Sequence, residues 1–319
     1  MTTRSTRSTT SSTLAAPASP RHRTGSRLNI GRLSVIGLPF LWLVFAFLFP
    51  FLIVAHISFT EMENGVQVGQ LVSWSGGALH VDFKVANYQF IFQDELYVLT
   101  YLSSIRYALV TTVFCLIIGY PFAYFMARAR ATVRPVLMML VMLPFWTSFL
   151  LRIYAWKGIL ANQGIVNHLL MSLGLIAAPL HMMNTAFSLT IGMVYAYLPF
   201  MILPLYANLV KMDLRFLEAA ADLGATPWQT FWRITVPLSK SGIIAGSMLV
   251  FIPALGEYVI PELLGGPETL MIGHVLWDEF FTNNDWPLAS SVTVVVVLAI
   301  LVPMAVFNRY TASQREQRA

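Results

Sequence analysis

Six long apolar runs, separated by polar or mixed stretches, dominate the chain: residues 34–58, 104–126, 135–156, 185–209, 241–264 and 288–307. Each holds about 20 or more mainly apolar residues, enough for a helix to cross the hydrocarbon core of a bilayer. The runs are continuous rather than alternating, which excludes a closed barrel. The pattern predicts an all-α polytopic membrane protein of six transmembrane helices. Arg152 in the third run and Glu257 and Glu262 in the fifth break the apolar pattern. Charges at such depth are costly against lipid, so they belong at an interface or inside the bundle.

Composition agrees. The 319 residues are 57% hydrophobic and only 11% charged, far below the roughly 25% of a soluble domain. Placing the N-terminus inside puts 16 of the 20 Lys and Arg on the cytoplasmic side, leaving only Lys84, Arg106, Arg152 and Lys157 elsewhere. That asymmetry predicts both termini in the cytoplasm. It also explains the net charge of +5 without invoking nucleic acid. Residues 1–32 are rich in Ser, Thr and Arg, lack an acid, and read as a disordered basic cytoplasmic tail; the same composition also fits an organellar transit peptide. The six-span domain then covers 33–308, with a second cytoplasmic tail at 309–319. Residues 59–103 form the longest external loop, expected to carry short strands or helices. In 158–184, Ile165, Leu169, Leu170, Leu173 and Leu175 predict a short interfacial helix between Gly164 and Gly174. Cys115 lies alone in a span, so it has no intrachain disulfide partner and reads as an inert thiol.

The most informative polar stretch is the cytoplasmic loop 210–240. Asp213 predicts an N-cap for a helix over 214–223, and Gly224 fits a C-terminal position needing positive φ. Arg215, Glu218 and Asp222 fall on one polar face, and Leu214, Leu217 and Ala221 on another. Ala219 and Ala220 leave a smooth patch for the close approach of another backbone. Thr226 and Pro227 predict the start of a second short helix running to about Ile234, which Pro237 stops. An ordinary amphipathic connector uses the same cap and breaker chemistry.

The spacing of Glu218-Ala219-Ala220, Gly224, Ile234 and Pro237 resembles the EAA loop of the permease subunits of ABC importers. Val236 departs from it, standing where that family usually has Leu. The resemblance covers most of 33–308 and implies the type I (MetI-like) permease fold in a bacterial inner membrane. It also implies that Glu218, Ala219, Ala220, Gly224, Ile234 and Pro237 form a coupling helix docked on an ATPase subunit. Ile252 to Pro267, Val275 to Phe281 and Asn284-Asp285-Trp286-Pro287 are similar to the polyamine branch, leaning toward its putrescine permeases over the spermidine ones. Implied partners are two copies of an ABC ATPase, a second homologous permease and an extracytoplasmic polyamine-binding protein. No cofactor is expected in this chain, since ATP and magnesium would sit on the ATPase.

The residues themselves point the same way on energy supply. The sequence has no Gly-rich loop ending in Lys-Ser or Lys-Thr, no His-Glu-x-x-His pattern and no Gly-x-Ser-x-Gly elbow. A membrane enzyme or self-contained pump is therefore disfavoured. Eleven of the 15 acids fall outside or within spans, which suits a positively charged cargo. Glu257, Tyr258 and Glu262 are the candidates for its path, by carboxylate attraction and cation–π contact. Two bland readings compete at Glu257: a pair with Arg152, or a cap on an interrupted helix. An importer for another small solute, or a secondary carrier or cation channel using the same acids, remains open at this level.

Overall fold

The computed structural model describes residues 30–316, apart from 64–66, 70, 76, 77 and 82. Contacts divide the chain at Pro50 into two units. The first comprises most of helix α1 (Ile30–Ser58), whose apolar side chains, Trp42 and Phe47 among them, are exposed. The expected tail 1–32 lies outside the described residues except for 30–32, which are helical.

The second unit begins with two antiparallel hairpins, β1 (Met62–Glu63) with β2 (Gln67–Val68) and β3 (Val72–Ser75) with β4 (Ala78–Val81). Helices α2 (Ala86–Gln93) and α3 (Glu95–Arg128) follow. Asp94 accepts from the Leu96 N–H at 2.8 Å and starts α3 nine residues before the apolar run that predicted it. The 34-residue helix is about 51 Å long at 1.5 Å per residue, well beyond the hydrocarbon core. Its first turns carry Tyr97, Thr100 and Tyr101, which read as loop in the sequence and are buried or half-buried here.

The expected third span is not one helix. α4 (Arg134–Met142) gives way to a 3₁₀ turn over Leu143–Trp146, and α5 (Phe149–Leu160) leaves at a bend of 88°. Pro144 lacks an N–H and its ring crowds the carbonyl four residues back, which loosens the α ladder where the break falls, although α3 absorbs Pro121 without one. Short α6 (Ile165–Ser172) then lies between Gly164 and Gly174 as expected. α7 (Ala186–Leu209) matches its predicted span almost residue for residue.

In the loop stand α8 (Arg215–Asp222), α9 (Pro227–Thr230) and α10 (Val236–Leu238). α11 (Lys240–Leu255) departs from the 227–238 segment at a 66° bend. The fifth run is also broken: α11 ends at Leu255, and α12 (Val259–Leu264) restarts after Gly256-Glu257-Tyr258. α13 (Ile272–Trp277) and α14 (Trp286–Glu316) complete the chain, α14 continuing as helix through most of the stretch expected to be a tail. Among the described residues, three helices are long and apolar enough to cross a membrane, rising to five if each bent pair is one span. The apolar first part of α14, Trp286–Val302, is shorter. The third and fifth predicted runs are thus built as bent or broken helices rather than as straight spans.

α3, α7 and α11 pack together around Met193, Met201, Leu205, Cys115, Val250 and Ala254, all fully buried or nearly so. Small residues let the backbones approach: a Cβ at Gly246 would stand 2.8 Å from Met201 Sδ. Hydroxyls tie elements together where no water is available. Ser188 Oγ donates to the Leu264 carbonyl at 2.6 Å, and Ser104 Oγ accepts the Ile272 N–H at 2.7 Å.

Candidate functional site

The loop 210–240 folds as short capped helices, a compact handle in shape. Asp213 Oδ1 accepts from the Arg215 N–H at 3.0 Å, one residue earlier than a strict cap of the observed helix. At the far end Gly224 has φ +81°, its N–H bonds the Ala221 carbonyl, and the Ala225 N–H bonds the Ala220 carbonyl, each at 2.9 Å. That pair is the 5→2 and 6→1 pattern of a Schellman motif, which needs a left-handed residue where Gly224 stands. Thr226 then caps α9 with a reciprocal box: its Oγ1 accepts from the Gln229 N–H, and Gln229 Oε1 accepts from the Thr226 N–H. The two short helices are thus joined by four satisfied backbone groups across a bend of about two residues.

Glu218, Ala219 and Gly224 are exposed, Ile234 is half-buried and Pro237 is exposed. Ala220 is buried against its own chain, so of the expected alanine patch only Ala219 faces outward. Pro237 does not stop the second helix. The chain widens instead into a π-turn over Phe231–Thr235, with the Val236 N–H reaching the Phe231 carbonyl, and continues to Leu238. A proline ring clashes with the carbonyl four residues back, and the wider turn relieves that crowding.

Sequence reasoning missed the residues that clamp this handle. Phe231 stands edge-on to both Tyr120 (5.5 Å) and Tyr124 (5.9 Å) of α3, and Tyr120 Oη lies 2.7 Å from Ser239 Oγ. Arg128 covers the Tyr124 ring at 4.7 Å. Trp228, Trp232 and Ile243 complete an apolar hollow of about 430 Å³ against α3. The signal available was the run of Trp228, Phe231 and Trp232 in a loop otherwise read for its caps. Leu223 (89% exposed) and Trp228 (70%) are the most exposed of the handle's large apolar groups, ahead of Phe216, Trp232 and Leu214.

At the break in the fifth run, Glu257 Oε1 accepts from the Val259 and Ile260 N–H groups, and the Tyr197 hydroxyl donates to Oε2. Among the described residues no Glu257–Arg152 pair forms; the Arg152 guanidinium sits over Phe145 and Phe149, 5.7 Å from each ring centre. Of the two bland readings at Glu257, the cap is the one built. Gly273 passes so close that a Cβ there would lie 2.5 Å from the Glu257 carbonyl oxygen, which seats α13 on the break. Tyr258 stacks on Trp277 at 4.4 Å. Glu262 faces His274: Oε2 lies 2.6 Å from Nε2, while His274 Nδ1 lies 3.0 Å from Asp278 Oδ2. Glu262 and His274 also line a polar hollow of about 380 Å³ with Asn184 and Thr269. Tyr258 and Glu262 therefore meet one cluster, with Glu257 bracing the helix beneath it.

Residues 112–314 match the family described as binding-protein-dependent transport system inner membrane component. The chain belongs to that family. It is the permease subunit of an ABC importer, a multi-pass protein of the bacterial inner membrane and a transport component rather than an enzyme. The permease is 39% identical to the spermidine/putrescine transport system permease protein PotB of Haemophilus influenzae over 88% of this chain and 93% of the relative. It is 40% identical to the PotB of Escherichia coli K12, over 82% and 91%. A bacterial alginate ABC transporter, solved in complex with an alginate pentasaccharide-bound periplasmic protein, shares the fold at 18% identity, with a TM-score of 0.62 over 88% of this chain and 95% of that one. The EAA spacing and the MetI-like architecture expected of the permease thus rest on sequence family and fold alike.

Proposed function

We propose that this permease imports polyamines, putrescine or spermidine, delivered by an extracytoplasmic binding protein and driven by two copies of a separate ATPase. A second, homologous permease completes the path, and both termini face the cytoplasm, where Lys and Arg concentrate. Support for the cargo comes from relatives named for spermidine and putrescine at 39–40% identity over most of their length.

Glu218, Ala219, Ala220, Gly224, Ile234 and Pro237 make up the handle that the ATPase grips, with Leu223 and Trp228 as its apolar contacts. Closure of the ATPase pair draws the two handles together. Phe231, held between Tyr120 and Tyr124, passes that movement to α3, and the 66° bend passes it to α11. The bundle then alternates between inward-facing and outward-facing states, biased from a distant site. Tyr258 and Glu262 contact the passing cation; Glu257 holds α12 in place for them.

The single observation that carries this reading is the capped, Schellman-joined handle clamped to α3 by Phe231. The test is reconstitution in sealed liposomes of this permease with its second permease, ATPase and binding protein, followed by radiolabelled putrescine and spermidine uptake. ATP-dependent accumulation that disappears without the ATPase or binding protein is expected. Concentrative uptake by this chain alone would overturn the reading.

A further inference from the structure

Around the acid cluster runs a feature no single motif predicts: five aromatic rings in an unbroken series. Tyr258 stacks on Trp277 (4.4 Å, 13° between planes), and Trp277 meets Phe281 (4.2 Å, 38°). Phe281 meets Phe280 (5.0 Å, 65°), and Phe280 stacks on Trp286 (5.6 Å, 6°). A π-turn over Asp278–Thr282 makes the series possible, the Asn283 N–H reaching back to the Asp278 carbonyl at 2.8 Å. Such turns shift side chains off the regular helical faces and recur at functional sites.

These rings are not core packing. Trp277, Phe280, Phe281 and Trp286 are between 39% and 57% exposed. Nor do they resemble an ordinary interfacial belt, where Trp and Tyr anchor singly at headgroup depth. Along this stretch of chain the charge is of one sign. Residues 241–308 contain Glu257, Glu262, Glu268, Asp278, Glu279 and Asp285 and no Lys or Arg at all. Glu262 and Asp278 flank His274, whose ring lies 6.0 Å from Tyr258, so carboxylates stand beside one end of the series. Glu279 is placed next to Phe280 and is oriented by the Tyr97 hydroxyl (2.7 Å) and Asn283 Nδ2 (2.9 Å).

We infer that the ladder Tyr258–Trp277–Phe281–Phe280–Trp286, with Glu262, Asp278 and Glu279, is a receiving surface for an extended aliphatic polycation. Ring faces attract ammonium groups and also cover the methylene segments between them, while the carboxylates set the sign. A flexible diamine can step along successive rings without any one deep site, which suits cargo that must be held and then released. The inference rests on the polyamine reading and names the residues that take the cargo from its binding protein.

The complete transporter in proteoliposomes tests it, with putrescine as the probe and putrescine imported per ATP hydrolysed as the readout. Trp277→Ala should lower that ratio about fivefold and Trp277→Phe less than about twofold, as expected for loss or retention of a ring face. Stepwise fluorination of the Trp277 indole should lower the ratio in graded steps, because fluorine drains the ring quadrupole while shape is nearly kept. A purely structural tryptophan would not follow that series, and the fluorinated proteins decide the matter should the alanine variant fail to assemble. Unchanged ratios in all variants overturn the ladder. So does a Trp277→Ala protein that keeps its ratio but binds the cargo-free binding protein more weakly, which would make this face a protein-docking surface. Wild-type transporter that imports no polyamine removes both readings; active wild type with unaffected variants removes only the ladder.

Discussion

Among the described residues the chain makes two π-turns, Phe231–Thr235 and Asp278–Thr282, and their surroundings differ in charge and are alike in aromaticity. The first sits in a loop of mixed charge, with Lys211, Arg215, Arg233 and Lys240 beside Asp213, Glu218 and Asp222, and with Trp228, Phe231 and Trp232 around it. The second sits among Glu262, Asp278, Glu279 and Asp285, with Trp277, Phe280 and Phe281 around it. At the first turn Phe231 faces inward onto Tyr120 and Tyr124 of α3, while Trp228 and Trp232 stay exposed. At the second they continue outward as a stacked series beside carboxylates. On the reading proposed above, the same local device, a widened helical turn that re-aims bulky side chains, serves force transfer where it meets another helix and cation contact where it meets acid. Neighbours decide the use, not the turn.

The comparison is broken most directly at Gly224. Gly224→Val places a β-branched residue at φ +81° in open space, so its cost is backbone strain alone, about 1–2 kcal/mol. ATP-driven uptake should fall roughly tenfold, while Gly224→Asn, which tolerates left-handed backbone, should keep most of it. Equal activity in the two variants would show that the handle needs no Schellman bend. Phe231→Ala removes the clamp between Tyr120 and Tyr124 and should destabilise the solubilised complex by about 2 kcal/mol, less than the roughly 3–5 of a core phenylalanine because the ring is only half-buried. Cargo moved per ATP should drop with it; a normal ratio would place force transfer elsewhere.

At the acidic end the contrast is between brace and contact. Glu257→Gln weakens charge-assisted bonds to Val259, Ile260 and Tyr197 and should cost about 1–2 kcal/mol in thermal unfolding. Transport per ATP should stay within about threefold of wild type, whereas Glu262→Gln should lose more transport and less stability. The reverse ranking would make Glu257 the cation ligand. Smallest of all, Tyr120→Phe removes the hydroxyl contact with Ser239 and should cost about 1 kcal/mol, read as a slightly lower melting temperature with transport intact.

Much of this was legible beforehand wherever chemistry is local. Asp213, Gly224, Thr226 and Pro227 announced two helices and their junction, because caps and left-handed turns depend on a few consecutive residues. α7 emerged at its predicted ends because its apolar run carries no charge and the helix absorbs Pro199 and Pro204 without a break. The broken runs were not legible: hydropathy counts carbon and is blind to Pro144 or to a Glu257 carboxylate turned onto backbone N–H groups. The early start of α3 was hidden for a related reason, since Tyr97 and Tyr101 look solvent-facing until α13 and α14 cover them. Ala220 was assigned to a partner and is taken up by its own chain.

The amino-acid order by itself determined membrane residence, the handle and its caps, the one-signed acidic stretch, and dependence on an outside source of energy. Each follows from residue type and short spacing. The tertiary structure alone decided which carboxylate braces a helix, which aromatics lock onto α3, and which ones line up from Tyr258 to Trp286. Those choices depend on residues distant in the chain coming within a few ångströms, and no short window of sequence holds that information.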